Sequence, residues 1–337
     1  MSELPGISLV VPNYRGADLL RRYAPTWTAA AARYPGPAEV LVVDDGSGDD
    51  SLEVLAGIEG VRALAHEVNQ GFGAACRTGA EAAAHELVVL LNSDVAADPD
   101  FLAPLARVFA QDPDAFSVSP LILDKEGQPS KVTVNLPYLR HGDLRWRGVD
   151  PADLLRLAAL PPEEPLLIYS LFGLGGALAL RRARFLALGG FDPLYRPFYH
   201  EDTDLGLCAW RRGWTVRVEP RSQVRHDDGG TIGRHFAPFR VKVARRRHRI
   251  LCGWKHAEGP WRADYARTLR RRALTKWLRL DLRFYAALWG AWQLRPDALR
   301  GHEQELAQGS VPLGEAFARI TASWPPPQLA ALQQTGR

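Results

Sequence analysis

Three short apolar runs punctuate the first hundred residues: Ile7–Pro12 (ISLVVP), Glu39–Asp44 (EVLVVD) and Glu86–Leu91 (ELVVLL). Each is bounded by turn-forming residues, the pattern of a strand buried on both faces. Helical stretches separate them. Ala74–His85 is alanine-rich, and Pro99–Ala110 begins with a proline, which suits the first helical turn. Alternating strand and helix predicts an α/β domain, a mostly parallel central sheet with helices on both faces. A further strand is expected at Thr215–Val218. A short helix is expected to begin near Glu201 and end at Gly213. A long segment from Asp124 to Pro165 is expected to be acceptor-side and helical at Ala152–Ala159.

Parallel sheets bind ligands at the carboxyl ends of their strands, so the residues just after each run carry weight. They are Pro12-Asn13-Tyr14-Arg15, Asp44-Asp45-Gly46-Ser47 and Asn92-Ser93-Asp94. Each alone reads as turn chemistry. Three such clusters at one sheet edge suit a nucleotide and a hard, oxygen-liganded cation. Asn69-Gln70-Gly71-Phe72-Gly73 opens a helix, and helix-start amides favour phosphate. As a dinucleotide fingerprint it fails, because Cys76 stands where a third glycine belongs. Glu201, Asp202 and Asp204 open the later helix. One acid there would be a cap; the HED-x-D cluster offers a candidate general base. His226 begins a glycine-containing stretch, His226-Asp227-Asp228-Gly229-Gly230-Thr231.

Taken together these motifs resemble glycosyltransferase family 2, the inverting enzymes of GT-A fold, most nearly the rhamnosyltransferase-like branch. The segments VVPNYRG, VVDDGSGDDS, NQGFGAACRTG, LLNSDV, GGALALRR, GGFDPLYRPFYHEDTDLGLCAWRRGW and VRHDDGGT carry the resemblance over about residues 7 to 235. It implies a transfer from a nucleotide-diphosphate sugar, dTDP- or UDP-linked with rhamnose as one candidate, to a saccharide or lipid-linked acceptor in cell-envelope polysaccharide synthesis. Pro12, Asn13, Tyr14, Asp44 and Asp45 would then hold base and ribose, with Gly71, Arg77 and Ser93 near the nucleotide. Asp94 and His226 would hold Mg²⁺ or Mn²⁺. Asn92 replaces the first acid of the family's DxD element, which removes one ligand. Asp202 would be the catalytic base, Glu201 and Asp204 capping and orienting groups. Gly175, Gly176 and Glu201 would border the donor sugar or acceptor. The rival expectation is a lapsed transferase that acts as a membrane-associated binding protein.

Charge divides the chain. Residues 240 to 300 hold 17 Lys+Arg against 4 Asp+Glu, while the rest carries a net −9. That predicts a catalytic unit over 1–235 and a basic, Trp-rich helical extension over 236–337. In the extension Leu269, Ala273, Trp277, Leu280, Phe284, Leu288 and Trp292 recur every three or four residues. This is expected to be one helical stripe, which either lies on a membrane, with contact through 236–300, or packs on the catalytic unit. No uncharged run reaches the roughly 20 residues of a bilayer span. MSELPG lacks the basic-then-apolar start of a signal peptide. The expected location is therefore the cytoplasm, peripheral at the membrane's cytoplasmic face. Cys76, Cys208 and Cys252 are widely spaced and read as buried thiols. No nucleic-acid motif occurs, and the sequence leaves room for an oligomer.

Overall fold

A computed structural model of the chain describes residues 4–226 and 237–334. The expected stretch 227–231 of the histidine loop lies outside the described residues. The first unit alternates β1 (Ile7–Asn13), α1 (Ala17–Arg33), β2 (Ala38–Asp44), α2 (Ser51–Ala56), β3 (Val61–Ala65), α3 (Phe72–Ala82), β4 (Leu87–Leu91), β5 (Val95–Ala97), α4 (Leu102–Gln111) and β6 (Ala115–Leu123). A hairpin of β7 (Leu136–Arg140) and β8 (Asp143–Arg147) and helix α5 (Pro151–Ala158) occupy the long segment. Then come β9 (Ala177–Arg181), α6 (Arg182–Ala187), α7 (Glu201–Arg211) and β10 (Thr215–His226).

The eight-stranded sheet runs β3-β2-β1-β4-β9-β6-β10-β5. Six strands point one way; β9 and β5 run against them. Alternation along β1 explains the continuous apolar run. Val10 packs with Leu41, Val43 and α3 on one face, while Ile7, Leu9 and Val11 pack with α1 and Val40 and Val42 on the other. Helix α3 lies close to the sheet because Gly79 has no side chain: a Cβ there would stand 2.2 Å from Val10 Cγ1. Cys76, Cys208 and Cys252 are buried and free, as expected.

The extension is helical throughout its described residues: α8 (Pro238–His256), α9 (Gly259–Thr275), α10 (Leu282–Gln293), α11 (Arg295–Gln308), α12 (Leu313–Ala322) and α13 (Pro327–Gln334). Its apolar side chains Leu251, Trp261, Ala298 and Ile320 join the same core as Val10 and Trp210. Arg211 pairs with Glu258 at 2.6 Å and Arg212 with Glu305 at 2.7 Å. The single stripe expected across 269–292 is not one helix. After α9 a 3-10 turn spans 276–279, and Leu280 adopts φ +47°. Asp281 then accepts from Phe284 N–H and starts α10, with Arg246 and Lys276 holding its carboxylate. Capping and two ion pairs thus override the helical periodicity. No helix among the described residues is long and apolar enough to cross a membrane.

The deepest tie between the units is Lys255 of α8, whose Nζ lies 2.8 Å from Asp204 and 2.7 Å from Asp192. Removing one partner of a buried pair strands the other charge, at a cost of about 3–5 kcal/mol. Lys255→Met is expected to lose that much stability in urea unfolding at neutral pH. Lys255 and His256 hold Asp204 ionised, depressing its carboxyl below the usual range. The stability this contributes is present above the unfolded pKa of about 4 and fades as pH falls toward the folded value. The gap between variant and wild type should therefore narrow in acid. A gap of the same size at every pH would show that the lysine acts through packing alone.

Candidate active site

The parallel strands end in step at one edge. Asp45 N–H donates to the Asn13 carbonyl at 2.8 Å, and His66 N–H to the Asp44 carbonyl at 2.8 Å. Asp44 is buried. Its carboxylate accepts from Asn13 Nδ2 at 2.8 Å, from the Ser47 hydroxyl and from Ser47 N–H at 3.1 Å, so the ends of β1 and β2 are tied together. Asp45 is also buried and organises the glycine loop. It accepts from the backbone amides of Gln70 at 2.8 Å and Gly71 at 2.7 Å and meets His66 Nδ1 at 2.7 Å. His66 Nε2 reaches Thr78 Oγ1 on α3 at 2.9 Å. The two amides that precede the helix therefore bind a carboxylate of the chain itself. Gly71 takes φ +93°, open to glycine without strain. Pro12 and Tyr14 are half-buried, with Arg15 over the Tyr14 ring. His66 and Thr78 carried no motif; His66 becomes meaningful only once β3 is known to end beside Asp45.

A cleft of about 540 Å³ opens between this loop and residues 189–201. Gly71, Arg77 and Thr78 line one side, Phe191, Tyr195 and Glu201 the other. Arg77 is exposed and pairs with Glu81 at 2.8 Å. Pro12, Asp44 and Asp94 are not on its walls. A Cβ on Gly175 would meet Phe191 at 3.3 Å and Phe72 at 3.6 Å; one on Gly176 would meet Asn92 at 3.0 Å. Asn92 N–H donates to the Gly176 carbonyl at 2.9 Å. The close approach of β9 to β4 thus joins the glycine pair to the Asn92-Ser93-Asp94 turn, where Ser93 is half-buried.

Asp94 and His226 meet because β5 and β10 pair with Val95 opposite His226. His226 Nε2 stands 3.3 Å from Asp94 Oδ1. That oxygen is buried and accepts no hydrogen bond. A buried carboxylate oxygen without a donor, beside an imidazole nitrogen, is a donor set that fits a divalent cation such as Mg²⁺ or Mn²⁺.

The first turn of α7 holds the acids. Burial, together with the Asp202 charge, pushes Glu201 up to about 8. Burial pushes Asp202 up to about 6, against the hydrogen bond it accepts from Thr203 N–H at 2.7 Å. Burial thus favours the protonated form of both acids, and the Asp202 charge adds to that for Glu201. Glu201 Oε2 is buried without a hydrogen-bond partner. Asp204 differs in kind. It accepts from Tyr195 Oη at 2.9 Å and meets Lys255 at 2.8 Å and His256 Nε2 at 2.6 Å. Cys208 and His256 lie near enough to Asp204 to suggest a metal cluster. Lys255 already neutralises that carboxylate, however, and burial pushes the Cys208 thiol far above its usual range, away from the thiolate that binds metal. Helix α8 also grips the approach to α7: His248 donates from Nδ1 to the Tyr199 carbonyl at 2.9 Å and accepts at Nε2 from Arg247. Burial lowers His248 to about 4, which keeps it neutral. Lys255, His256 and His248 belong to no sequence motif, and only their contacts reveal them.

Comparison with known proteins agrees with this geometry. The family model for glycosyl transferase family 2 matches residues 8–151. The chain is 28% identical over 283 residues to the N-acetylglucosaminyl-diphospho-decaprenol L-rhamnosyltransferase of Mycobacterium tuberculosis, covering 78% of this chain and 89% of that one. It is 26% identical to mouse polypeptide N-acetylgalactosaminyltransferase 10, over 81% of this chain and 44% of that one. Among solved structures, S. aureus TarS in complex with UDP-GlcNAc superposes with a TM-score of 0.54 at 17% identity, over 98% of this chain and 92% of that one. The mannosyltransferase of Pyrobaculum calidifontis with GDP-Man and Mn²⁺ gives 0.51 at 18%, over 99% and 84%. The sheet order and these likenesses agree: residues 8–151 match glycosyl transferase family 2, and the chain has the GT-A fold of the solved glycosyltransferases it resembles.

Proposed function

We propose that this enzyme is an inverting glycosyltransferase that moves a sugar from a dTDP- or UDP-linked donor, rhamnose being the first candidate, to a hydroxyl of a lipid-linked saccharide. The observation that carries the reading is the buried acid pair in the first turn of α7, with Glu201 on the wall of the cleft and Asp202 next to it. The Mycobacterium tuberculosis relative, an L-rhamnosyltransferase named for N-acetylglucosaminyl-diphospho-decaprenol, supports the donor and acceptor class. The rival of a lapsed, purely binding protein is disfavoured, since Asp94, Asp202 and His226 are all in place.

Asp202 takes the proton from the acceptor hydroxyl as that oxygen attacks the anomeric carbon. Attack comes from the face opposite the diphosphate. The bond to the diphosphate breaks, its electron pair leaves with the diphosphate, and a single displacement inverts the centre. Glu201, kept neutral, can donate a hydrogen bond to a sugar or acceptor oxygen. Gly175 and Gly176, which let the backbone pass close to Phe191 and Asn92, would border the donor sugar or acceptor. Pro12, Asn13, Tyr14, Gly71, Arg77 and Ser93 frame the nucleotide. Asp44 and Asp45 serve it by holding the loops in register, because their carboxylates are engaged within the protein. Asp94 and His226 would hold a divalent cation, which offsets negative charge on a departing diphosphate.

The test is release of free nucleoside diphosphate across a panel of donors, with Mn²⁺, Mg²⁺ or EDTA. Release that needs both metal and acceptor is the expected result; equal release in EDTA would remove the metal from the reading. Asp202→Asn should lose about 10²–10⁴-fold in turnover, the usual worth of a general base, and keep donor affinity. The wild-type rate should fall as pH drops through about 6, where Asp202 takes up its proton. The asparagine variant should show no such fall. If Glu201→Gln abolishes that pH dependence instead, the base has been assigned to the wrong carboxylate.

Asp94→Ala should remove metal-dependent donor binding in calorimetry while leaving the urea midpoint near wild type, since Asp94 Oδ1 accepts no hydrogen bond from the fold. Unchanged donor affinity in that variant would place the cation elsewhere.

A further inference from the structure

The break between α9 and α10 leaves an apolar corner without a cover. Leu274 is 73% exposed, Trp277 61%, Leu278 65%, Leu280 80%, Leu282 70% and Trp289 66%. Helix α10 buries Phe284, Ala287 and Ala291 and packs on α8, so Leu282, Ala286 and Trp289 form its opposite face. It is therefore apolar on both sides. Large apolar side chains clustered in water mark an interaction surface.

Charge says which kind. Residues 265–296 carry eight Lys+Arg and a single acid, Asp281. That acid is already held by Arg246 and Lys276. Arg272 is paired with Asp143 and Arg267 with Asp264. Arg270, Arg271, Arg279 and Arg283 are exposed and make no ion pair among the described residues. Exposed leucine and tryptophan within a rim of arginine is the composition of a surface that enters the headgroup boundary of a bilayer. An acidic protein would satisfy the arginines and leave Leu280 and Leu282 in water; an anionic bilayer satisfies both.

We propose that the corner formed by residues 274–292 docks on an anionic lipid bilayer, its leucines and tryptophans entering the headgroup boundary and its free arginines meeting lipid phosphates. The surface is tied through α8 to the stretch that leads into Glu201. Arg245 stacks on Tyr199, two residues before Glu201, at 4.1 Å, while its neighbour Arg246 holds Asp281 at the corner at 2.6 Å. One turn of α8 thus spans from the bilayer contact to the entrance of the cleft. An acceptor with its tail in the bilayer would present its head group there. The docking itself goes beyond the transferase reading, because vesicle binding needs neither donor nor acceptor.

The test is co-sedimentation of the full chain with vesicles of phosphatidylcholine alone and of phosphatidylcholine mixed with phosphatidylglycerol, at low and high salt. Binding is expected on the mixed vesicles only, weakening with salt. Each basic residue near an anionic surface is worth about fivefold in partition. The triple change Arg270→Gln, Arg271→Gln and Arg279→Gln should accordingly lose on the order of 100-fold. The triple change Trp277→Ser, Leu278→Ser and Leu280→Ser should lose at least about tenfold, from the apolar area no longer removed from water. All six side chains are exposed or half in solvent, so both variants should keep the wild-type circular dichroism and urea midpoint. Recovery of the wild type in the supernatant under every condition would overturn the proposal. So would full binding by the serine variant. A dimer in sedimentation velocity that the serine variant dissolves, with no vesicle binding by either, would assign the corner to a second copy instead.

Discussion

The candidate site depends on one buried carboxylate whose oxygens are engaged within the protein. Asp204 sits in the first turn of α7, out of water, and would be intolerable there alone. Lys255, His256 and Tyr195 satisfy it, and two of those three come from the extension. That network sets the position of the α7 N-terminus and hence of Glu201 and Asp202. Their proton affinity follows from the same burial. Lys255 and His256 are engaged by Asp204, and burial raises both acids of the pair above it. Three acids within four residues so take two roles, decided by what surrounds each. The extension is accordingly part of how α7 is held, whatever else it does.

The strands β1, β2 and β4 were legible because both faces of each are apolar, and a run of five or more such residues has few other uses. Edge and antiparallel strands were not. Val61–Ala65 has no buried position at the sheet margin, only half-buried and exposed ones, and its sequence VRALA has no run to detect. Ala177–Arg181 runs against its neighbours, so strand–helix alternation gave no reason to expect it. Helix α3 begins at Phe72, two residues before its alanine-rich stretch, because Gly71 already supplies the turn. The motif residues around the sheet edge were legible as a set, yet their jobs were not. Asp45 looks like a ligand in sequence; in the fold its oxygens face Gln70, Gly71 and His66. Pairing across 20 residues or more is invisible to spacing, and His66, His248, Lys255 and His256 matter only through such pairings.

The extension shows the same limit in reverse. Its apolar period of three to four residues is genuine, and a helix does occupy most of it. The period does not carry the information that Asp281 has two cationic partners and a capping amide within reach. Those contacts stop one helix and start another. The consequence is geometric: side chains that would have shared one stripe are split, so that Phe284 turns inward against α8 while Trp277 and Leu280 point out at the corner.

That split separates two uses of hydrophobic surface that a single stripe would have forced to compete. A continuous amphipathic helix has one apolar face, which can pack on the body or meet another phase, but not both. A broken one packs through α10 and exposes its corner. The ion pair that makes the break, Arg246 with Asp281, leaves the same turn of α8 from which Arg245 reaches Tyr199. His248, three residues on, holds the Tyr199 carbonyl. One short stretch of α8 therefore orders the residues before Glu201, fixes the corner and sets the distance between them. A displacement of α8 would move cleft entrance and corner together, so the two surfaces keep a constant relation as long as Lys255 keeps α8 locked to Asp204.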